Sequence, residues 1–222
     1  MRQYQQDFLD FVIQRNALRF GDFTLKSGRK SPYFFNTGLF NSGIALKQLG
    51  EFYAHAIKDW GEPFDMLFGP AYKGIPLVSA TAVALARSDG IDVPYAFNRK
   101  EAKAHGEGGA TVGAPLQGRV IIIDDVISAG LSIALSVNLI RLAGAIPAGV
   151  FIALDREERA QDKPQKATQA IQQQFRIPVR AIVTLTTMVD YLRGRPEYAE
   201  HLDAVSVYRR KYGVSEEHSN RV

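Results

Sequence analysis

Residues 120–132 of the chain read Val-Ile-Ile-Ile-Asp-Asp-Val-Ile-Ser-Ala-Gly-Leu-Ser. Four β-branched residues precede two adjacent carboxylates, and small and hydroxylated residues then lead into a helical pattern. A short apolar run of this kind predicts a buried parallel strand followed by a loop and the first turn of a helix. Open α/β sheets bind their ligands outside the carboxyl ends of such strands. We therefore expect a ligand site at Asp124 and Asp125.

The same segment offers two kinds of ligand contact. The carboxylates of Asp124 and Asp125 can hold the 2′,3′-diol of a ribose, with Mg²⁺ nearby, while the backbone of Ser128, Ala129 and Gly130 can approach a phosphate closely. Two adjacent carboxylates repel each other, so a fold that retains them must supply hydroxyl, amide or cationic partners. An acidic cap for the following helix is the alternative interpretation.

The composition is compatible with one sizeable core and excludes several classes of protein. The chain has 222 residues, of which 46% are hydrophobic. It contains no cysteine, which excludes disulfides and cysteine-ligated metals and fits the cytoplasm. We find neither a signal-peptide pattern nor an apolar run near the ~20 residues that span a bilayer. The net charge of +4 fits scattered surface cations, or else an anionic small molecule or RNA as partner.

Apolar patterns along the rest of the chain alternate between strands and helices. An amphipathic helix around Phe8 and Val12 comes first, followed by a hairpin over 24–36 and a helix over 42–60. The later elements are predicted as strand 65–69, helix 75–86, strand 93–97, a polar Gly-rich stretch 98–113, strand 120–123, helix 132–142, strand 148–154, helix 167–175, strand 180–185 and helices 187–193 and 196–212. This alternation predicts an α/β fold whose central, mostly parallel sheet is flanked by helices. We expect a single domain over 1–213 and a disordered tail over 214–222.

Two further segments carry cations beside glycines. Lys73 follows a strand between Gly69 and Gly74, where it can face an anion; an ordinary loop with an exposed lysine is the alternative. The stretch 98–113 combines glycines with four potential cations, namely Arg99, Lys100, Lys103 and His105. Glycines favour a mobile lid and clustered cations favour a polyanionic ligand, although a disordered surface loop has the same composition.

The hairpin and Arg156 complete the set of candidate groups. Lys26, Phe34 and Phe35 fit a hood over a planar ring, or solvated charges beside core aromatics. Arg156 follows another strand end, where it can be an ion-pair residue or a bidentate clamp on a carboxylate. A ligand with a phosphate at one end, a pyrophosphate at the other and a diol between them would use the whole set. That description fits 5-phosphoribosyl 1-pyrophosphate (PRPP).

Residues 121–132 resemble the PRPP motif of the type I phosphoribosyltransferases. Segments 23–36, 68–76 and 97–109 resemble those of the orotate-specific members of that family, and the similarity extends over about 3–213. The resemblance implies the type I phosphoribosyltransferase fold with an N-terminal hood, mainly over 1–60, and a flexible lid over 98–113. It also implies phosphoribosyl transfer from PRPP to orotate in pyrimidine synthesis, with Mg²⁺ as cofactor. The partners it implies are these two small substrates and a second copy whose site the lid closes over, with no nucleic acid and no membrane.

The resemblance assigns a role to each candidate residue. Asp124 and Asp125 would hold the ribose diol, and with Lys103 and His105 they form the predicted catalytic set. The remaining PRPP contacts would come from Lys26, Tyr72, Lys73, Arg99, Lys100, Lys103, His105, Val126, Ile127, Ser128, Ala129, Gly130, Leu131 and Ser132. Orotate would be surrounded by Lys26, Phe34, Phe35, Ser128 and Arg156. Magnesium would be held mainly by substrate and water near Asp124 and Asp125.

One position departs from the family pattern. The family usually reads Thr-Ala-Gly-Thr-Ala where residues 128–132 of this chain read Ser-Ala-Gly-Leu-Ser. Leu131 therefore lacks a hydroxyl that would reach the 5′-phosphate, a charge-assisted bond worth roughly 1.5–3 kcal/mol. Ser132, one position later, is the candidate to compensate.

Two other functions are compatible with parts of the sequence. A regulator that senses PRPP and binds RNA or DNA would also be mildly basic, and its binding would weaken steeply with salt. A phosphoribosyltransferase for another base would share the PRPP motif. The hood with Lys26 and Phe35, together with Arg156, favours a carboxylated pyrimidine by resemblance.

Overall fold

The computed structural model describes residues 1–25, 27–103, 109–127, 130–159 and 165–214, and the side chains of all of these except 102 and 103. The helices are α1 (Gln3–Gln14), α2 (Gly43–Trp60), α3 (Gly74–Asp89), α4 (Leu131–Leu142), α5 (Ala167–Phe175), α6 (Leu185–Arg193) and α7 (Ala199–Tyr212). The strands are β1 (Leu18–Thr24), β2 (Lys30–Phe35), β3 (Met66–Gly69), β4 (Tyr95–Lys103), β5 (Gly109–Gly113), β6 (Arg119–Ile123), β7 (Ile146–Asp155) and β8 (Val179–Thr184).

A six-stranded sheet forms the centre, in the order β5-β4-β3-β6-β7-β8. Strand β3 pairs in parallel with β4 and β6, β6 pairs in parallel with β7, and β5 is antiparallel to β4. The apolar run 120–123 is the predicted buried strand, with Val120, Ile121, Ile122 and Ile123 all fully buried. The prediction of a mostly parallel sheet flanked by helices is confirmed.

Helices cover both faces of this sheet, which is why its strands read as continuous apolar runs. On one face, Phe68 and Ile122 pack with Val137 of α4 in a single buried cluster. On the other face, α3 contacts β3, β4 and β6, and the ring of Trp60 at the end of α2 meets Phe151 of β7 edge-on at 5.6 Å. The burial of both faces leaves the strand ends as the places where polar groups can gather.

The chain divides into two compact units. The sheet unit comprises 40–154 and 171–182, and the hairpin unit comprises 1–39, 155–170 and 183–222. Within the hairpin unit, β1 and β2 form an antiparallel pair with an irregularity between Phe20 and Phe23, and α7 contacts β2. Of the predicted hood 1–60, only 1–39 belongs to the hairpin unit. The single-domain prediction, and the lid and tail within it, remain predictions.

Several element boundaries differ from those predicted. The hairpin starts at Leu18 instead of 24, because Leu18 pairs with Phe35. The stretch predicted as a loop from 98 is an extension of β4 to Lys103, paired with β5 across Asn98 and Thr111. Cross-strand pairing outweighs the polar composition there. No helix among the described residues is long and apolar enough to cross a membrane.

Candidate active site

Two buried carboxylates lie at the carboxyl end of β6. Asp124 and Asp125 are each 6% exposed. One oxygen of Asp124 accepts the backbone N–H of Asp125 at 2.9 Å, and the other accepts the hydroxyl of Ser132 at 2.8 Å. The Tyr53 hydroxyl donates to the backbone carbonyl of Asp124 at 2.7 Å, so α2 helps to fix the end of the strand. Burial, and next the charge of Asp125, raise the pKa of Asp124 to about 6, against the opposing effect of these hydrogen bonds.

Lys73 is the cationic partner of the acid pair. Its Nζ lies 2.6 Å from Oδ2 of Asp125, while Oδ1 of Asp125 accepts the N–H of Val126 at 2.8 Å. The lysine side chain is well exposed and the carboxylate is not. Solvent screens such a pair, so it orients the two groups more than it stabilises the fold. The predicted diol site and one predicted pyrophosphate contact are thus in direct contact.

The loop that presents Lys73 is closed tightly by two glycines. Gly74 donates its N–H to the carbonyl of Pro70 at 2.9 Å. A Cβ on Gly69 would lie 2.3 Å from the carbonyl oxygen of Gly74, and a Cβ on Gly74 would lie 2.8 Å from the carbonyl carbon of Gly69. Only glycine fits at either position. The Ala71–Tyr72 peptide bond within the loop is cis.

Strand β4 joins this loop to the cationic stretch. The side-chain oxygen of buried Asn98 accepts the N–H of Ala71 at 2.8 Å. The ammonium of Lys100 lies 4.7 Å from the centre of the Tyr72 ring. Asn98 and Tyr53 were not among the predicted site residues. A polar residue directly after an apolar strand was the available signal for Asn98, whereas Tyr53 lies within an ordinary amphipathic helix and carried none.

The predicted phosphate loop leads into α4 through Gly130. This glycine has φ +73°, and a Cβ there would meet Ile171 at 2.7 Å. Glycine offers no capping side chain, so amides of the first turn of α4 remain for an anion. Leu131 is 77% exposed and begins the helix. The single hydroxyl proton of Ser132 is donated to Asp124, so Ser132 must give up that bond to donate to a phosphate.

Arg156 lies in the hairpin unit within a polar cluster. Its Nε donates to Oε1 of Glu158 at 2.7 Å, and its Nη2 donates to Ser31 at 3.1 Å and to the Tyr208 hydroxyl at 3.3 Å. Its guanidinium also lies 4.3 Å from the centre of the Tyr33 ring. The ion-pair interpretation of Arg156 is therefore confirmed, and its role as a carboxylate clamp stays a prediction.

The aromatic part of the predicted hood is also in the hairpin unit. Phe34 stacks on Phe23 with 5.6 Å between ring centres, and the guanidinium of Arg19 lies within 6 Å of both rings. Phe35 is half-buried at the end of β2. Arg99 lies on β4, and Val126 and Ile127 are half-buried after the acid pair. Predicted site groups outside the described residues are Lys26, His105, Ser128, Ala129 and the side chain of Lys103.

The raised pKa of Asp124 predicts a pH-dependent stability of the free protein. A folded-state pKa of about 6 lies above the unfolded value of about 3.9, so the contribution of Asp124 is fully present below about pH 4 and is lost as the pH rises through 6. Asp124→Asn should therefore stabilise the protein by roughly 1–3 kcal/mol near pH 8, with the difference vanishing near pH 4. Urea unfolding across this range measures the effect.

Asp89 provides a control of opposite sign. The hydrogen bond from Lys58 lowers the pKa of Asp89, so Asp89→Asn should lose stability near neutral pH. A variant at Asp124 that is less stable than the parent near pH 8 would contradict the assignment of a raised pKa.

Comparison with known proteins identifies the class to which this site belongs. The family described as the phosphoribosyl transferase domain matches residues 38–185. That range includes the acid pair, the loop around Lys73, strand β4 and the start of α4. The fold and the strand-end site therefore define a phosphoribosyltransferase.

Individual relatives show which phosphoribosyltransferases this chain is similar to. The chain is 59% identical over 215 residues to orotate phosphoribosyltransferase of Methylococcus capsulatus, with 97% of this chain and 100% of the relative covered. It is 56% identical to that of Yersinia pestis over the same shares of both chains. The crystal structure of orotate phosphoribosyltransferase from Francisella tularensis matches with a TM-score of 0.85 and 44% identity, covering 93% and 99% of the two chains. This chain belongs to the orotate phosphoribosyltransferase family.

Proposed function

We propose that the acid pair and Lys73 form the PRPP site at which this chain carries out the reaction of its family. That reaction transfers the phosphoribosyl group of PRPP to orotate and gives orotidine 5′-phosphate and pyrophosphate, in pyrimidine synthesis. The observation that supports the site is the juxtaposition of Asp124, Asp125 and Lys73 at the carboxyl ends of β6 and β3. Carboxylates suit a diol, and a cation beside a glycine-closed loop suits a pyrophosphate.

Helix α4, the loop before α3 and strand β4 would supply further contacts to PRPP. The first turn of α4, beginning at Leu131, would bind the 5′-phosphate through backbone N–H groups. Tyr72 and Lys100, which contact each other, would lie beside the pyrophosphate with Arg99. We further propose that Lys103 and His105 complete this cationic set, and that Lys26, Phe34, Phe35, Ser128 and Arg156 surround orotate.

The chemistry requires little from a general base. Orotate reaches the site already ionised at N1, and the bond from C1 of the ribose to pyrophosphate breaks towards an oxocarbenium-like state, as in other glycosyl transfers. The protein then lowers the barrier by stabilising the negative charge that grows on the leaving group and by holding the two substrates in line. Lys73, Lys100 and Lys103 are the residues we assign to the leaving group.

The donor set fits a magnesium ion that is bound largely by substrate. The described residues contain no group of three or more His, Cys, Asp or Glu side chains that could hold a metal. Asp124 and Asp125 supply two carboxylates, and Mg²⁺ is commonly held by one or two carboxylates with substrate phosphates and water. The ion would neutralise charge on the pyrophosphate when bound. Cytoplasmic location stays a prediction of the sequence.

We also propose a homodimer that uses the exposed face of α3 and its preceding loop. Tyr72 is 65% exposed and Val83 is 66% exposed, and Pro76 between them is exposed as well. Pro76 and Val83 are seven positions apart and lie on one stripe of α3, and Tyr72 precedes the helix in the adjoining loop. An apolar stripe beside a cationic loop suits an interface through which one copy's lid reaches the other copy's site.

Val83→Lys should convert the dimer to monomers, because a charge at the centre of an apolar interface must be desolvated. Sedimentation velocity at micromolar concentration measures the change. Val207→Lys is the matched control: Val207 is 54% exposed on α7 in the hairpin unit, and its replacement should leave the association unchanged. A Val83→Lys protein that stays dimeric would place the interface elsewhere.

An ultraviolet assay of orotate consumption tests the proposed function directly. Loss of orotate absorbance should require both PRPP and Mg²⁺, and Asp124→Asn with Asp125→Asn in one chain should abolish it. Consumption of a purine base in place of orotate would overturn the substrate. Full activity of the doubly substituted protein would overturn the site.

A further inference from the structure

The side chain of Arg156 is paired with Glu158, an acid of the same loop. Its Nε and Nη2 are both directed at Oε1 of Glu158, with the closest approach at 2.7 Å. The described residues record no bond from the third nitrogen, Nη1. Because Nη2 also donates to Ser31 and to the Tyr208 hydroxyl, the N–H groups left for a ligand are the two of Nη1.

Glu158 is held in turn by groups from three segments of the hairpin unit. Its Oε1 also accepts the Tyr208 hydroxyl at 2.8 Å, and its Oε2 lies 3.3 Å from Arg29. The side chains of Arg156, Glu158 and Arg29 are 20%, 14% and 17% exposed. Two arginines share the one carboxylate of Glu158 in this largely buried cluster, so Glu158 alone does not neutralise both of them.

The backbone on either side of Arg156 is pinned as well. Asp155 accepts the N–H of Glu157 at 2.8 Å and the hydroxyl of Thr168 at 3.0 Å. Glu157, at φ +52°, accepts the N–H of Thr186 in the first turn of α6 at 2.7 Å. These hydrogen bonds hold the backbone around Arg156 in place, so the direction of its side chain is set by the groups that bind the guanidinium.

We infer that Glu158 is a positioning residue that holds Arg156 ready for the carboxylate of the pyrimidine substrate. The inference rests on the proposed function, in which Arg156 contacts orotate. An arginine that is fixed before binding loses less side-chain entropy when the ligand arrives, so the affinity for the carboxylate is higher. Glu158 itself does not contact substrate; it acts through the direction it imposes on Arg156.

The test compares Glu158→Ala and Glu158→Gln by steady-state kinetics with orotate and PRPP varied separately. We expect Glu158→Ala to raise KM for orotate by roughly 10–100-fold, by analogy with the loss of a residue that orients a metal ligand, with little change in KM for PRPP. Glu158→Gln keeps an oxygen acceptor and should rescue most of the loss. Lys47→Ala, which removes an exposed pair with Glu51 on α2, is the control for an ordinary ion pair and should change neither KM.

A double-mutant cycle with Arg156→Ala separates the possible failures. Adding Glu158→Ala to Arg156→Ala should raise KM for orotate no further, because the two act as one unit. If Arg156→Ala alone leaves KM for orotate unchanged, the placement of Arg156 at orotate fails. If Arg156→Ala raises KM for orotate but Glu158→Ala does not, the proposed function survives and the positioning role of Glu158 is overturned. A KM for orotate that is lowered by Glu158→Ala would identify Glu158 as a competitor of the substrate for Arg156.

Discussion

Replacing Lys103 with alanine is expected to lower kcat by roughly 10²–10³-fold, the loss found when one preorganised donor to a developing negative charge is removed. Lys103 ends strand β4, which also carries Lys100 beside Tyr72. A cation at that position neutralises the pyrophosphate most when the bond to C1 is breaking, so the effect should fall on kcat more than on KM. Steady-state assays at saturating orotate and PRPP measure it.

The thermal unfolding curve of the Lys103→Ala protein should match that of the parent, which would show that the fold is intact. Lys47→Ala, a lysine on the exposed surface of α2, should retain full turnover. Near-normal kcat in the Lys103→Ala protein would remove Lys103 from the catalytic set.

Mixing two inactive variants should restore activity if the lid acts across the dimer. One variant is Lys103→Ala, and the other combines Asp124→Asn with Asp125→Asn. In a hybrid dimer, one site receives the intact acid pair from the first chain and the intact lysine from the second. Random pairing at equal amounts makes half of the dimers hybrids with one complete site, so about a quarter of the parent activity is expected.

The two chains should be mixed after dissociation and reassociation, since exchange between stable dimers is slow. The combination of both lesions in one chain, mixed with itself, is the matched control and should stay inactive. If no mixing ratio restores activity while hybrids are demonstrably present, Lys103 serves its own chain's site.

The sequence alone was sufficient to predict the strand-end acids. A β-branched run followed by two carboxylates is a local pattern, and burial of the strand places Asp124 and Asp125 at the sheet edge wherever the neighbouring strands lie. The tight loop between Gly69 and Gly74 was also predicted from a local pattern, because its two glycines directly follow the apolar residues of β3 in the sequence.

The partners of these groups could not be predicted, because they depend on contacts between distant segments. Lys73 is 52 positions from Asp125, and Arg156 is 125 positions from Ser31. Ser132 is only eight positions from Asp124. Its hydrogen bond to Asp124 was still not predicted, because the resemblance implies a phosphate contact for the same hydroxyl. Similarly, the extension of β4 past Asn98 depends on pairing with β5 and not on its own polar composition.

The close approach of Gly69 and Gly74, which leaves no room for a side chain on either residue, limits how this site can be redesigned. Each glycine occupies the space that a side chain on the other would need, so a substitution at one position is not relieved by a change at its counterpart. The side chains of Tyr72 and Lys73 between them are exposed, so we expect their exchange to disturb the backbone less than a substitution at either glycine. An altered preference for the leaving anion is therefore accessible through those two side chains, whereas lengthening or shortening the loop would require the end of β3 and the start of α3 to be rebuilt together.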